Sequence, residues 1–249
     1  MMNSIKRIAL LAVLVVAVSL QVKAQFHAGI SVMGSFPVSH MAEKGATQFG
    51  TNPYKGNAAP MGAGIGLRFQ YDFSWRYNGI VSPIIDLEGY WNPKNQLMKD
   101  FSKETSFTVG HYINGSFMAG AMYRYFLNYQ KPILGFFLEG AMGADVLYVT
   151  QEGWEGNEQI YKPSTAFAVR IGGGLCVTPQ LNIGVHYEFL GNHKNIERKQ
   201  QGEFTDRIDG ELLSLYLPEK LKESLVVLKL TYIIKGNRIK HLPLTNSPL

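Results

Sequence analysis

Residues 61–73 read MGAGIGLRFQYDF, a stretch in which apolar side chains alternate with glycine or polar ones. A period of two is typical of a β-strand, because successive side chains of a strand point to opposite faces. The stretch exceeds the usual strand length of about 5–6 residues. It is long enough for a tilted strand to cross a hydrocarbon core, which takes about 9–11 residues. The alternation therefore predicts a membrane-crossing strand with one apolar face and one small or polar face.

Seven further stretches of the chain repeat this alternation. They lie at about residues 26–36, 80–91, 113–126, 133–149, 164–177, 181–189 and 224–234. Connections after the second, fourth and sixth stretches are short, and the others are long. Short turns alternating with long loops are typical of an even-stranded outer-membrane barrel with both ends in the periplasm. The sequence thus predicts an all-β fold, an eight-stranded antiparallel up-and-down transmembrane β-barrel in contact with outer-membrane lipid.

The alternative is a secreted soluble barrel of the lipocalin kind, whose apolar face points inward. A water-facing surface would be rich in Lys, Glu and Thr, whereas the polar face here is mostly Gly, Ala, Ser and isolated charges. Small side chains suit the narrow interior of an eight-stranded barrel. Aromatic residues on the apolar face, placed near predicted strand ends as in interfacial girdles, are Tyr71, Phe73, Trp91, Tyr123, Tyr125, Tyr148, Tyr187, Phe189 and Tyr232. The composition favours the membrane barrel.

The first residues have the pattern of an export signal. Lys6 and Arg7 precede an apolar run at residues 8–20, and Val22 and Ala24 supply the small residues that a signal peptidase reads. The apolar run is shorter than the roughly 20 residues of a membrane-spanning helix. We therefore expect a cleaved signal peptide at 1–24, a barrel at 25–235 and a short periplasmic tail at 236–249. This organisation predicts an exported protein of the Gram-negative outer membrane.

Charge and cysteine content exclude several classes of function. The formal charge is +5, but without Lys6, Arg7 and Lys23 it falls to +2, that is, 21 basic minus 19 acidic residues. This small excess is not the electrostatic footprint of a nucleic-acid-binding protein. The single cysteine, Cys176, excludes an intramolecular disulfide. The six histidines are scattered along the chain without metal-ligand spacing, so the sequence predicts neither a metal nor a cofactor.

Charged residues on the predicted lumen face alternate in sign from strand to strand, with basic residues on even strands and acidic ones on odd strands. Asp72, Asp86 and Asp145 are additional to this order. A buried charge needs a partner, and this order offers opposite charges on neighbouring strands. Because eight strands leave no open aqueous channel, we favour a structural plug of ion pairs over a proton or ion path. The predicted lumen charge network comprises Arg68, Asp72, Asp86, Glu88, Arg124, Glu139, Asp145, Arg170, His186, Glu188 and Lys229.

Residues on the seventh strand raise an enzymatic alternative. Lipid-modifying outer-membrane barrels place a Ser, a His and an acid near the outer rim, and here His186 and Glu188 are followed by Asn192 and His193. However, His186 falls on the lumen face, and no Ser on this strand accompanies it. A nucleophile needs its base within hydrogen-bond reach. We therefore predict no catalytic residue and keep a lipid A-modifying hydrolase as the alternative.

The longest predicted connection, residues 190–223, combines mixed charges with an apolar patch. Large apolar patches in exposed segments often mark interfaces. The patch is either an outer extension of the eighth strand or a contact surface for a protein partner, and the sequence leaves the oligomeric state open. This possible interaction loop comprises Leu212, Leu213, Leu215, Tyr216 and Leu217.

Residues 137–145, FLEGAMGAD, and 171–189, IGGGLCVTPQLNIGVHYEF, carry a family resemblance. A glycine-rich strand, a Thr-Pro turn and a strand ending in Tyr-x-Phe resemble the outer-membrane β-barrel domain family of the OmpA/OmpX and PorT-like kind. A signal ending in Ala-Gln is similar to those of Bacteroidetes proteins. The resemblance covers essentially the whole exported chain, although the chain continues at 235–249 instead of ending on an aromatic strand terminus.

The resemblance implies fold and location more than function, since the family includes adhesins, scaffolds and secretion accessories. The leading hypothesis is a non-enzymatic structural or protein-interaction role, as an accessory subunit of a secretion or assembly system in the way PorT-like proteins imply. A lipid-modifying enzyme and a small pore are the alternatives.

Overall fold

The structure is a computed structural model that describes residues 25–38, 61–75, 79–94, 99–100, 103, 107–108, 110–128, 134–154, 157–194, 198–201 and 220–234. The strands are numbered in chain order as β1 (Gln25–Val38), β2 (Gly62–Trp75), β3 (Gly79–Asn92), β4 (Phe107–Thr108), β5 (Tyr112–Phe126), β6 (Gly135–Val149), β7 (Glu152–Trp154), β8 (Asn157–Tyr161), β9 (Ser164–Cys176), β10 (Leu181–Lys194), β11 (Arg198–Gln201) and β12 (Lys220–Ile234).

Eight long strands close into one antiparallel barrel. Its order is β1-β2-β3-β5-β6-β9-β10-β12, and β12 pairs with β1 to complete the ring. The predicted eight-stranded up-and-down barrel is therefore confirmed. We use "turn end" for the end where β1 begins and β12 ends, and "loop end" for the opposite one. Within the described ranges, no helix is long and apolar enough to cross a membrane.

The alternating sequence pattern becomes an alternation between outer wall and lumen. In β5 and β6 every second residue is buried, apart from single half-buried glycines. The outer wall carries large apolar side chains, among them Ile65, Leu138 and Met142, which are 71%, 69% and 61% exposed. Most charged residues of the barrel strands lie inside, whereas Lys222 of β12 is exposed. The apolar outer wall and the charged lumen are thus the reverse of the arrangement in a water-soluble barrel.

A second, small sheet lies at the loop end, with the order β4-β7-β8-β11. Its strands come from three connections that the sequence pattern predicts to be loops. That expectation missed the small sheet because strands of two to five residues are too short to show a period of two. Their pairing also joins segments distant in sequence, as when Arg198 pairs with Tyr161.

Strand β10 is longer than predicted and contains a bulge. Its register against β12 shifts between Phe189 and Gly191, and Gly191 adopts a φ of 113°. This left-handed conformation favours glycine. A Cβ at Gly191 would lie 2.4 Å from the Ala166 Cβ. The bulge reverses the alternation, so His193 points into the lumen and Asn192 is exposed.

The longer β10 also changes where two aromatic residues lie. Tyr187 and Phe189 were placed near a strand end, but the strand continues to Lys194 and they lie along it. The predicted signal peptide at 1–24, the tail at 236–249 and the interaction loop at 212–217 lie outside the described residues.

Candidate functional site

All eleven residues of the predicted charge network face the lumen. Each is buried, with Asp72 the most exposed at 7%. They occupy three levels along the barrel axis: a central network, a smaller group at the turn end, and Asp145 at the loop end.

Arg68 of β2 forms the first half of the central network. Its Nε and Nη2 donate to the two oxygens of Asp86 on the neighbouring β3, at 2.8 and 2.7 Å. Its Nη1 and Nη2 donate to the two oxygens of Glu139 on β6, at 2.8 and 3.0 Å. Paired donors on a planar guanidinium match a carboxylate closely. Arg68 therefore joins a neighbouring strand to a strand across the lumen.

Arg170 of β9 forms the second half. Its Nη1 donates to Glu88 at 2.7 Å, its Nη2 contacts Asp86, and its Nε lies 3.1 Å from Glu139. Its Nη1 is also 3.7 Å from Glu188 on the neighbouring β10. One guanidinium thus contacts carboxylates from three strands.

Lys229 of β12 contacts the same acids of β3, with its Nζ 3.4 Å from Asp86 and in closer contact with Glu88. The strands β12 and β3 are not neighbours in the barrel. The sign order along the sequence suggested pairing between neighbouring strands, whereas much of the observed pairing runs across the lumen.

Tyr90 adds a neutral group that the charge pattern of the sequence does not identify. Its hydroxyl is 2.7 Å from Glu88 Oε2 and 2.8 Å from Glu188 Oε2. A hydroxyl carries one hydrogen, so it donates to one carboxyl group, and the second contact needs a proton from the other. The central network contains four carboxyl groups and the basic side chains of Arg68, Arg170 and Lys229. A proton shared in this way reduces the resulting excess of negative charge.

His186 pairs with a different acid from the one on its own strand. Its Nε2 lies 3.0 Å from Glu139 Oε1, whereas Glu188 contacts Tyr90 and Arg170. The ring lies against Gly172 of β9, where a Cβ would come within 2.1 Å of the His186 Cδ2. The structure thus pairs His186 with Glu139 and not with Glu188, although both His186 and Glu188 are in the lumen.

The group at the turn end centres on Asp72. Arg124 contacts one carboxylate oxygen at 2.5 Å, and His27 lies 3.3 Å from the same oxygen. Ser82 and Gln70 donate to the other oxygen at 2.7 and 2.9 Å. A buried apolar cluster of this half of the barrel comprises Ile84, Met122, Phe126, Phe137 and Cys176.

Asp145 stands apart from both groups. It lies at the loop end with Asn114, His193 and Glu223, all with 1% exposure or less. The sequence pattern predicts a connection at 190–223, which includes His193 and Glu223. Glu223 has the same parity as Lys229 along β12, so extending the alternation would have found it. The bulge in β10 shifts the alternation by one residue, so the sequence pattern alone does not predict that His193 faces the lumen.

A surface depression of about 700 Å³ is lined by Glu88 of the central network as well as by residues of the outer wall. Its lining includes the outward-facing Ile30, Leu67, Leu87, Phe117 and Val146. Most of its lining belongs to the apolar outer wall.

These features define a class: a closed eight-stranded barrel with an apolar wall and an ion-paired interior. No protein-family model matches the sequence, and no curated protein matches it. Among solved structures, the attachment invasion locus protein Ail of Yersinia pestis is similar at 13% identity and a TM-score of 0.43, covering 85% of this chain and 99% of that one. Neisserial surface protein A gives 11% identity and a TM-score of 0.39, covering 86% and 99%. A major outer membrane protein of Thermus thermophilus gives 9% identity and a TM-score of 0.41, covering 83% and 99%.

Proposed function

We propose that this protein is an outer-membrane barrel, closed to solutes, that has a structural or protein-interaction role through its external loops. In this proposal the turn end faces the periplasm and the loop end faces outward. The finer hypothesis is an accessory subunit of a secretion or assembly system.

The outer wall supports the membrane location. Large apolar side chains cover it on every barrel strand, including Phe26, Trp91, Phe136 and Ile183. An apolar surface of this extent on a soluble protein would be an aggregation liability. A closed barrel satisfies its backbone hydrogen bonds internally, which is what a hydrocarbon environment requires.

The main support for a lumen closed to solutes is the pair of arginines that contact acids on more than one strand. Arg68 and Arg170 together contact Asp86, Glu88 and Glu139, and the side chains of all five are 2% exposed or less. Removing one partner of a buried ion pair leaves an uncompensated charge. An ion path through this level would have to break such contacts.

The same geometry argues against the lipid-modifying enzyme. His186 is 1% exposed in the lumen, so a lipid outside the barrel cannot reach it. Among the described residues its ring contacts Glu139, Phe137 and Gly172, and none of these supplies the Ser hydroxyl that such an enzyme would use.

Mass spectrometry of lipid A tests that alternative. Cells with His186→Ala or Glu188→Ala should have the same lipid A acylation as wild-type cells, with equal barrel levels checked by immunoblot. A changed acylation pattern in these variants, but not in Ser82→Ala, would overturn the non-enzymatic role.

The interaction role is tested by affinity capture of the full chain from outer membranes in mild detergent. We expect a stoichiometric partner with the wild type. A variant with Leu212, Leu213, Leu215 and Leu217 changed to Ser should lose it, while a Leu127→Ser control near the turn end should retain it. A solitary barrel in all three samples would contradict the proposal.

A further inference from the structure

We propose that the loop end of the lumen binds a divalent first-row transition-metal ion, held by Asp145 of β6, His193 of β10 and Glu223 of β12. The Asn114 side chain of β5 lies beside both carboxylates, with its amide nitrogen toward them. This site is separate from the central network and does not depend on a protein partner.

The spacing of the donor atoms fits one shared ion. One donor atom from each of the three residues lies within 4.8 Å of the others. His193 Nε2 is 3.3 Å from Asp145 Oδ2 and 3.5 Å from Glu223 Oε2. Ligand atoms about 2.1 Å from a tetrahedral zinc ion lie about 3.4 Å from one another. Small side-chain rotations therefore suffice to form the site.

The orientation of His193 is that of a metal-binding histidine. Its Nδ1 lies 3.1 Å from the backbone carbonyl oxygen of Ser164, which accepts a hydrogen from that nitrogen. A neutral imidazole then has its lone pair on Nε2, which faces the two carboxylates. Metal-ligating histidines almost always donate their other ring N–H in this way. Nε2 itself makes no hydrogen bond.

The surrounding polar atoms are unsatisfied in a way that a cation would correct. Asp145 Oδ1, Glu223 Oε1 and Asn114 Oδ1 are buried and have no hydrogen-bond partner among the described atoms. Within the described ranges no Lys or Arg pairs with either carboxylate, and Asn114 Nδ2 donates to both at 2.9 and 2.8 Å. Buried charges are paired or coordinate metals. The central network has its arginines, whereas this site has none.

The ligand set selects the kind of metal. One imidazole nitrogen with two carboxylates is a set that zinc accepts, and manganese and cobalt use similar ligands. Calcium prefers six to eight oxygen ligands. The ion would connect β6, β10 and β12 at the outer end of the barrel, with β9 held through the Ser164 carbonyl group.

The test is calorimetric titration of zinc chloride into the full chain, purified with a histidine-free tag and stripped with a chelator. We expect one zinc per barrel, much weaker binding of calcium, and a cobalt absorption spectrum that zinc abolishes. His193→Gln and Glu223→Gln should weaken zinc binding at least about tenfold. Glu188→Gln, which removes a buried carboxylate of the central network, should leave it unchanged.

Each result decides the matter. Heat-dependent gel mobility checks that the variants form barrels. If the variants do not fold, nuclear magnetic resonance of the wild-type protein tests the proposal instead. Zinc bound at this site should change the signals of the His193 imidazole. Absence of saturable zinc binding by the wild type would overturn the proposal. Unchanged binding in both His193→Gln and Glu223→Gln would also overturn it.

Discussion

Arg170 shows how single residues hold this barrel together. Its guanidinium contacts Asp86, Glu88 and Glu139 in the lumen, and its own side chain is fully buried. Burying an ion costs several kcal/mol of hydration free energy, which close and numerous partners offset. Loss of the arginine would leave carboxylates on β3 and β6 without their shared partner.

Replacing Arg170 by Met should therefore lower the free energy of unfolding by about 3–5 kcal/mol, the usual effect of breaking a buried pair. Arg124→Met should cost less, because Asp72 keeps contacts with His27 and Ser82. Urea titration of both variants in the same detergent, followed by tryptophan fluorescence, measures the difference. Equal losses would contradict the central position of Arg170.

Gly191 is the residue that permits the bulge in β10. Its φ of 113° and the 2.4 Å approach of a Cβ to Ala166 leave no room for a side chain. Gly191→Ala should destabilise the barrel by about 1–3 kcal/mol and weaken zinc binding, because the bulge positions His193. Gly115→Ala is the matched control, since a Cβ there meets nothing within 4 Å. Equal effects of the two substitutions on zinc affinity would argue against a positioning role of the bulge.

At the scale of the element, the eight long strands could be predicted from the sequence because each face has a distinct environment. A period of two sustained over eleven or more residues is typical of a strand between two such environments. The predicted bounds of most barrel strands agree with the observed ones within two residues. The exceptions are β10 and β12, which extend further toward the loop end. A bulge interrupts the alternation of apolar and polar residues in β10. The first residues of β12 are mostly polar, so the alternation is not visible in them.

The outer wall gives a prediction at this scale. Met142 lies midway along β6 and is 61% exposed. An arginine on the lipid face costs about 2–4 kcal/mol at the bilayer midplane and about 0–1 kcal/mol near the interface. Met142→Arg should therefore reduce stability in lipid vesicles far more than Leu127→Arg, placed just after β5. Similar losses, measured by urea titration in vesicles, would count against a membrane-facing wall.

At the scale of the whole molecule, the barrel positions charges that the sequence could identify but could not pair. Arg68 and Asp86 are partners on adjacent strands, as the sign order suggests. The contact of Arg68 with Glu139 and that of Lys229 with Glu88 cross the lumen. Such contacts depend on strand register around a closed ring, which no stretch of sequence encodes by itself. For the same reason the Asp145, His193 and Glu223 cluster was not predicted.

The conductance of the full chain in a planar lipid bilayer tests the closed lumen most directly. Insertion is verified by protease protection in vesicles of the same lipid, and buffer with detergent alone serves as the blank. We predict no discrete current steps for the wild type, because ion pairs and apolar side chains fill the lumen. Steps in the wild type that change when Arg170→Gln removes the central charge would contradict the closed lumen.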